Sequence, residues 1–186
     1  MAIGLVGSEM CIRDSIDCFD IEVDEDNPQR LAEIVSSLEP TFGAINLEDI
    51  KAPDCFEVER LCKEKMKIPV FHDDQHGTAI VVGAAAVNAI ELSNRKIENT
   101  KIVAVGAGAS GIACLEMLVK LGAKRENIWL SDSKGLITKN RSEINEEKKR
   151  FSQDITLSNL DDVIKDCDMF LGLSLIHISE PTRPIA

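Results

Sequence analysis

Two pairs of adjacent carboxylates are the residues whose types and spacing could do chemistry. Glu48-Asp49 and Asp73-Asp74 each follow a short apolar run that is typical of a strand. Because the carboxyl ends of parallel strands face one ligand crevice, we expect the four acids to converge. Clustered carboxylates repel one another unless a cation or a base is present, and hard oxygen ligands favour Mg²⁺ or Mn²⁺. The pattern favours a divalent-metal site; the alternative is that the acids are solvated loop residues.

Two histidines beside the second acid pair offer a rival metal site. His72 and His76 have the i, i+4 spacing that can bind zinc from one helical face. The sequence between them lacks the glutamate of an HExxH motif, and the geometry fails if residues 72–76 form a loop. We therefore expect no zinc-hydrolase site here.

A glycine-rich turn at residues 106–111 matches the GxGxxG pattern, with a strand-like run before it and a helical pattern after it. Gly106 would permit a tight turn, Gly108 would let a pyrophosphate approach the backbone, and Gly111 would allow close helix–strand packing. The diphosphate would lie at a helix N-terminus, and Asp132 would accept hydrogen bonds from the adenosine ribose. The alternative is a structural βαβ turn without a nucleotide. The predicted cofactor-binding residues are Gly106, Ala107, Gly108, Ala109, Ser110, Gly111 and Asp132.

The choice between NAD and NADP stays open at this point. The carboxylate of Asp132 would repel a 2′-phosphate, which favours NAD. Lys134, Lys139 and Arg141 lie near enough in sequence to supply a compensating positive charge.

The elements that must position these residues alternate between strand and helix along the chain. This alternation predicts an α/β fold with a parallel sheet and helices on its faces. Strands are predicted at residues 18–23, 44–47, 68–71, 101–105, 127–131 and 168–171, and helices at 29–38, 53–67, 77–92, 109–121 and 160–165. The helix at 77–92 consists of small and apolar residues, so we expect it to be buried. Residues 134–150 are charged and predict a loop plus an exposed helix.

Composition excludes several classes of protein. The chain has 186 residues and a formal net charge of −11, from 32 acidic and 21 basic residues, which argues against a nucleic-acid surface. No segment is long and apolar enough to span a membrane. None of the six cysteines forms a CxxC pair, so we expect reduced, structural thiols, as in a reducing cytoplasm.

Three longer runs resemble the bacterial-type malic enzymes. They are FGAINLEDI at 42–50, IPVFHDDQHGTAIV at 68–81 and VGAGASGIACLEML at 105–118, followed in the family's order by SDSKGLI and DMFLGLS. The resemblance covers about residues 16–174. It implies oxidative decarboxylation of malate to pyruvate and CO2, reduction of NAD or NADP, and use of Mg²⁺ or Mn²⁺.

The resemblance also implies roles for particular residues. Glu48, Asp49 and Asp74 would be the metal ligands, and Asp73 would orient and charge a catalytic lysine. Residues 107–110 and Asp132 match the cofactor-binding turn and the end of its second strand. A homo-oligomer in the cytoplasm, with malate as its small-molecule substrate and no nucleic-acid or membrane partner, is the expected setting.

The chain departs from the family pattern in three places. The family's tyrosine acid and lysine base lie upstream of the matching region, whereas this sequence has no tyrosine and its lysines begin at Lys51. The later asparagine motifs would lie beyond residue 174. We therefore expect this chain by itself not to turn over malate.

These observations predict four segments. Residues 1–15 and 173–186 resemble translated adapter sequence and are interpreted as a non-native leader and tail. Residues 16–76 would be the C-terminal part of a substrate- and metal-binding α/β domain, and residues 77–172 an incomplete Rossmann-like NAD(P)-binding domain. Two other hypotheses remain, a different dehydrogenase of amino or hydroxy acids and a non-catalytic nucleotide-binding module. Neither gives a role to Glu48, Asp49 and Asp74.

Overall fold

Helices and strands alternate along the chain, as the sequence predicts. A computed structural model describes residues 17–154 and 160–173. The strands are β1 Ile45–Leu47, β2 Val70–His72, β3 Ile102–Val105, β4 Ile128–Asp132, β5 Gly135–Leu136 and β6 Met169–Gly172. The helices are α1 Pro28–Ser37, α2 Asp54–Lys65, α3 Thr78–Leu92, α4 Ala109–Lys120, α5 Glu146–Lys149 and α6 Leu160–Ile164. A π-helical turn, Asp73–Gly77, joins β2 to α3.

The strands form two sheets. β1 pairs with β2 in parallel, with Leu47 opposite His72. The second sheet has the order β5-β4-β3-β6, in which β3 runs parallel to both β4 and β6 while the short β5 is antiparallel. All four residues of β3 are buried, which is typical of a central strand with helices on both faces. The predicted α/β fold with a parallel sheet is confirmed.

Each sheet has its own core. Helices α1 and α2 pack together beside β1 and β2, and α4 packs beside β3 and β4. The first core contains Ala32, Val35, Leu47, Val58, Cys62, Met66 and Val70. The second contains Ala86, Ile102, Ala104, Ile112, Leu115, Leu118, Ala123, Ile128, Leu130, Ile137 and Phe151. The buried residues of α4, Ile112, Leu115 and Leu118, have the i, i+3 spacing of one helical face.

The predicted strand at residues 18–23 is wrong. Residues 17–27 form neither helix nor strand, and Phe19 and Ile21 are 70% and 50% exposed. A strand needs a neighbour to accept its backbone hydrogen bonds, and no described strand lies beside this segment. Alternation of apolar and polar residues was not sufficient, because it says nothing about a partner strand.

The prediction that the helix at 77–92 is buried is also wrong for α3 as described. Only Ala79, Gly83 and Ala86 are buried, on one narrow stripe. That stripe packs against α4 so closely that a Cβ at Gly83 would lie 2.9 Å from Met117 Cγ. Small residues permit this close approach on one face, while Val81 on another face is 69% exposed. Composition indicated an apolar helix but not which of its faces would be covered.

The charged segment at residues 134–150 contains the predicted exposed helix, α5, and in addition strand β5. Asn145 caps α5 by accepting a hydrogen bond from the Lys148 N–H. The predicted leader lies outside the described residues, as does the tail after residue 173. Within the described ranges, no helix is long and apolar enough to cross a membrane.

The described cysteines include three fully buried thiols. Cys55, Cys62 and Cys114 are 0% exposed. Burial raises the pKa of Cys55 and of Cys114 to about 11, so these thiols are protonated at neutral pH. They act as small apolar core residues.

Candidate functional site

The four predicted acids come together at the ends of the first sheet. Because β1 and β2 are parallel and in register, Glu48-Asp49 and Asp73-Asp74 follow the two strands at the same end of the sheet. Asp49 has a positive φ of 58°, and its backbone N–H donates to Asp74 Oδ2 at 3.0 Å. We call these four residues the acidic group.

The negative charges of the acidic group are not balanced by lysine or arginine side chains among the described residues. Partial desolvation, followed by the charge of Asp73, raises the pKa of Glu48, although a hydrogen bond from Asn46 at 2.7 Å opposes the rise. Asp49 and Asp74 add smaller contributions of the same sign. In the part of the chain that the structure describes, none of the four carboxylates pairs with a lysine or an arginine. A cation would lower this mutual repulsion.

The chemistry of the acidic group fits Mg²⁺ or Mn²⁺, because its donors are hard carboxylate oxygens. Over residues 17–154 and 160–173, however, no group of three or more His, Cys, Asp or Glu side chains is arranged so that it could hold a metal ion. Two of the carboxylate oxygens form hydrogen bonds within the protein instead. Asp74 Oδ2 accepts a hydrogen bond from the Asp49 N–H, and Glu48 Oε1 accepts one from the Asn46 side chain. The metal set Glu48, Asp49 and Asp74 therefore stays a prediction, as does the role of Asp73.

The two histidines have different surroundings. His72 is the fully buried last residue of β2, and its Nδ1 lies 3.9 Å from Asp74 Oδ2. Neither ring nitrogen of His72 has a hydrogen-bond partner within the described structure, and burial lowers its pKa. His76 lies in the π-helical turn, and its Nε2 is 2.6 Å from Glu59 Oε1. The i, i+4 geometry of a regular α-helix is therefore not realised here.

Glu59 is a buried acid that the sequence interpretation missed. It accepts hydrogen bonds from Lys63 and contacts His76, both at 2.6 Å, and Gln75 lies 3.5 Å away. Burial favours a raised pKa, but these partners hold the pKa of Glu59 below its ordinary value. The i, i+4 spacing of Glu59 and Lys63 was a visible signal for that pair. Nothing in the sequence connected them with His76.

The glycine-rich turn lies between β3 and α4, and its glycines are required for different reasons. Gly106 has a positive φ of 112°, and its N–H donates to the Ser131 carbonyl at 2.9 Å. A Cβ at Gly111 would lie 1.9 Å from the Gly106 carbonyl oxygen, so a side chain cannot be accommodated there. A Cβ at Gly108 would meet no atom of the described residues within 4 Å, and the φ of Gly108, −84°, suits any residue. A pyrophosphate approaching the backbone would account for a glycine at position 108.

The glycine-rich turn and the acidic group are in direct contact. Ser110 Oγ, in the first turn of α4, donates to the backbone carbonyl of Asp74 at 2.5 Å. Helix α3 begins directly after the π-helical turn that contains Asp73 and Asp74, and it packs along α4. The two predicted sites are thus neighbouring parts of one surface.

Asp132, at the end of β4, is held by basic side chains. Its Oδ1 accepts from Arg141 Nη1 at 3.0 Å and from the Lys134 backbone N–H at 2.9 Å. Its Oδ2 accepts from Arg141 Nη2 at 3.2 Å and from Lys148 Nζ at 2.9 Å. Burial opposes ionisation, but the hydrogen bonds from Arg141 and Lys148 lower the pKa of Asp132 to about 2. We call Asp132, Arg141, Lys148 and the Lys134 N–H the Asp132 cluster.

Of the three bases suggested from sequence, only the Arg141 side chain reaches Asp132. The Lys134 side chain pairs with Glu143 at 2.8 Å, and Lys139 pairs with Asp154 at 3.3 Å. Lys148 was missed because it lies 16 residues from Asp132 and is brought to it by α5.

Comparison with known proteins identifies the family. Residues 75–177, more than half of the chain, match the family model described as "Malic enzyme, NAD binding domain". The chain is 55% identical over 167 residues to an NAD-dependent malic enzyme of Rhizobium meliloti, covering 89% of this chain and 22% of that protein. It is 51% identical over 161 residues to an NADP-dependent malic enzyme of Escherichia coli, covering 86% of this chain and 21% of that protein.

The fold agrees with solved structures of the same family. An NAD-dependent malic enzyme from Thermotoga maritima is similar with a TM-score of 0.82 and 42% identity, over 89% of this chain and 45% of that one. This chain spans about a fifth of the two relatives' length and less than half of the solved chain. The predicted resemblance and the predicted incomplete Rossmann-like NAD(P)-binding fold are confirmed, whereas the predicted bounds of the segments stay a prediction. The chain belongs to the malic enzyme family, and residues 75–177 match the NAD-binding domain of that family.

Proposed function

We propose that this chain is part of an enzyme that catalyses the oxidative decarboxylation of malate to pyruvate and CO2, with reduction of NAD or NADP, and that the chain by itself does not turn over malate. In this proposal the chain contributes the acids that hold a divalent cation and the turn that binds the dinucleotide. Malate as substrate, a homo-oligomeric state and a cytoplasmic location belong to the same proposal. Support comes from family membership and from relatives that are named malic enzymes.

One observation carries the proposal, the contact between the acidic group and the glycine-rich turn. Hydride transfer needs the substrate carbon to lie against the nicotinamide, so the substrate's anchoring site must adjoin the dinucleotide site. The hydrogen bond from Ser110 Oγ to the Asp74 carbonyl joins these two parts directly. A plain nucleotide-binding module would have no need of four adjoining acids that pair with no described lysine or arginine.

The residues of the acidic group would divide the work. Glu48, Asp49 and Asp74 would hold the cation, whose Lewis acidity polarises the malate hydroxyl and carboxylate when bound. Asp73 would orient a lysine that the family pattern places upstream of the matching region. Asp73 is exposed at this surface and so is accessible to such a partner.

The experiment that tests the metal site is a calorimetric titration of the chain with Mn²⁺. We expect saturable binding at one site, weakened at least tenfold in Asp74→Asn, because Asn keeps an oxygen acceptor for the Asp49 N–H but removes the charge. Glu126→Gln is the matched control, since Glu126 is a 76% exposed acid remote in sequence from the acidic group. Folded wild-type chain that binds no Mn²⁺, or equal weakening in both variants, would contradict the metal assignment.

The dinucleotide site has its own test in Gly108→Ala. Among the residues that the structure describes, the added methyl group meets no atom, so we expect unchanged stability but at least tenfold weaker binding of NAD and NADP. Stability is measured by urea denaturation and binding by calorimetry. Wild-type affinity in Gly108→Ala would show that no pyrophosphate passes over this glycine.

A further inference from the structure

Asp132 occupies the position at which an acid ordinarily accepts hydrogen bonds from the ribose of a dinucleotide. It ends β4, the strand that follows the glycine-rich turn and α4. A carboxylate offers about four lone-pair sites. All four are used, by the two Nη atoms of Arg141, by Lys148 Nζ and by the Lys134 N–H. A ribose hydroxyl would have to displace one of these charged or backbone donors before Asp132 could bind it.

The Asp132 cluster has a surplus of positive charge. Arg141 and Lys148 both pair with the single carboxylate of Asp132. Their side chains are 19% and 23% exposed, so part of each is accessible to solvent. Arg141 also donates to the carbonyls of Gly135 and Leu136 through Nη1, which fixes its plane.

Both bases keep donors for a further ligand. Arg141 has five N–H donors and Lys148 has three. Within the described residues, Arg141 Nε makes no hydrogen bond, and Lys148 Nζ makes only the one to Asp132. A planar guanidinium beside an ammonium is a suitable arrangement for a phosphate group.

We infer that the Asp132 cluster binds the 2′-phosphate of NADP, and that the chain therefore prefers NADP to NAD. Asp132 acts as a positioning residue that holds Arg141 and Lys148, and it does not itself accept the ribose hydroxyls. This inference rests on the proposed dinucleotide site, because it assigns the group that the site recognises at its adenosine end. Family membership alone leaves the choice open, since relatives of both names match this chain.

A purely structural role for the cluster leads to a different expectation. The salt bridges could serve only to fasten the segment from Gly135 to Lys149 onto β4. In that case, loss of Lys148 would change the binding of NAD and NADP equally. A selective loss of NADP binding therefore distinguishes binding of the 2′-phosphate from a purely structural role of the salt bridges.

The test is calorimetric titration of the full chain with NAD and with NADP, for wild type and variants. We expect wild type to bind NADP at least tenfold more tightly than NAD. Lys148→Met should weaken NADP binding about tenfold, the scale of one charge-assisted hydrogen bond, and NAD binding less than twofold. Lys139→Met is the matched control, because Lys139 pairs with Asp154 outside the cluster, and it should change neither affinity.

Arg141→Gln and Asp132→Asn complete the test. Arg141→Gln should lose NADP selectivity, but Arg141 also binds two backbone carbonyls, so its folding is verified by circular dichroism. Lys148→Met removes a single hydrogen bond and stays decisive if Arg141→Gln unfolds. Asp132→Asn should weaken NADP binding more than NAD binding, because the neutral amide no longer holds Arg141 and Lys148 in place by charge.

Each contrary outcome has a defined meaning. NAD binding equal to or tighter than NADP binding overturns the inference and leaves the proposed function standing. If Asp132→Asn weakens NAD binding more than NADP binding, the inference is also overturned, because Asp132 would then accept hydrogen bonds from the ribose hydroxyls directly. Binding of neither nucleotide by folded wild-type chain overturns both the inference and the dinucleotide site on which it rests.

Discussion

The acidic group and the Asp132 cluster begin from the same sequence pattern and have opposite electrostatics. In both, a carboxylate lies at the end of a short parallel strand or directly after it. At the acidic group, partial burial and the charges of the neighbouring acids raise the pKa of Glu48. At the Asp132 cluster two bases approach one acid, and the pKa of Asp132 is lowered to about 2.

This difference shows which acids keep capacity for a ligand. An acid whose lone pairs are filled by protein donors has little left to offer a ligand hydroxyl or cation. An acid surrounded by other acids gains from any cation that arrives. The position of a carboxylate at a strand end therefore indicates a ligand crevice, whereas its neighbours decide what ligand it can bind.

The largest expected effect is the loss of stability in Asp132→Ala, which is compared with Glu48→Gln in the acidic group. Asp132→Ala leaves two partly buried bases without their acid, so we expect a loss of about 2–3 kcal/mol in the free energy of unfolding. Glu48→Gln removes a repelling charge and should cause no loss. Urea denaturation at pH 7 measures both variants. Equal losses in the two variants would remove the contrast between the groups.

The pH dependence should have opposite signs at the two sites. Asp132 has a folded pKa below its ordinary 3.8, so its contribution is fully present above that value and is lost as pH falls toward about 2. We expect wild type to exceed Asp132→Asn by about 2 kcal/mol at pH 7, a difference that shrinks between pH 4 and pH 2.

Glu48 behaves in the reverse direction. Its folded pKa is raised above 4.5, so its favourable contribution exists below that pH and is lost as pH rises through the folded value. Glu48→Gln should therefore be at least as stable as wild type at pH 7 and indistinguishable from it at pH 4. Thermal midpoints of the two proteins at these two pH values provide the measurement. A gain that persists unchanged at pH 4 would argue against repulsion as its cause.

The smallest expected effect is that of Lys134→Ala. The Lys134–Glu143 pair is 65% and 77% exposed, and such pairs contribute little. The contact that Asp132 uses is the Lys134 backbone N–H, which alanine retains. We expect no measurable shift in the urea midpoint, whereas Lys148→Ala should lower it. A shift in Lys134→Ala as large as that in Lys148→Ala would show that side-chain charge, not specific contact, stabilises the cluster.

Most helices and strands could be predicted because their signals are local. Apolar periodicity identified α1, α4 and the central strands, and the glycine pattern placed the turn between β3 and α4. The failures were at residues 18–23 and on the faces of α3. Both features depend on which other element packs against the segment. When that element is distant in sequence, the local pattern of residues does not indicate it.

The sequence determined where the acids and the glycines occur, because strand ends and tight turns require particular residue types at particular positions. Only the tertiary structure decided their charge environment. Lys148 reaches Asp132 across 16 residues, and Ser110 reaches the Asp74 carbonyl across 36. Electrostatic interaction depends on distance in space and on burial, which are properties of the folded chain and not of sequence separation.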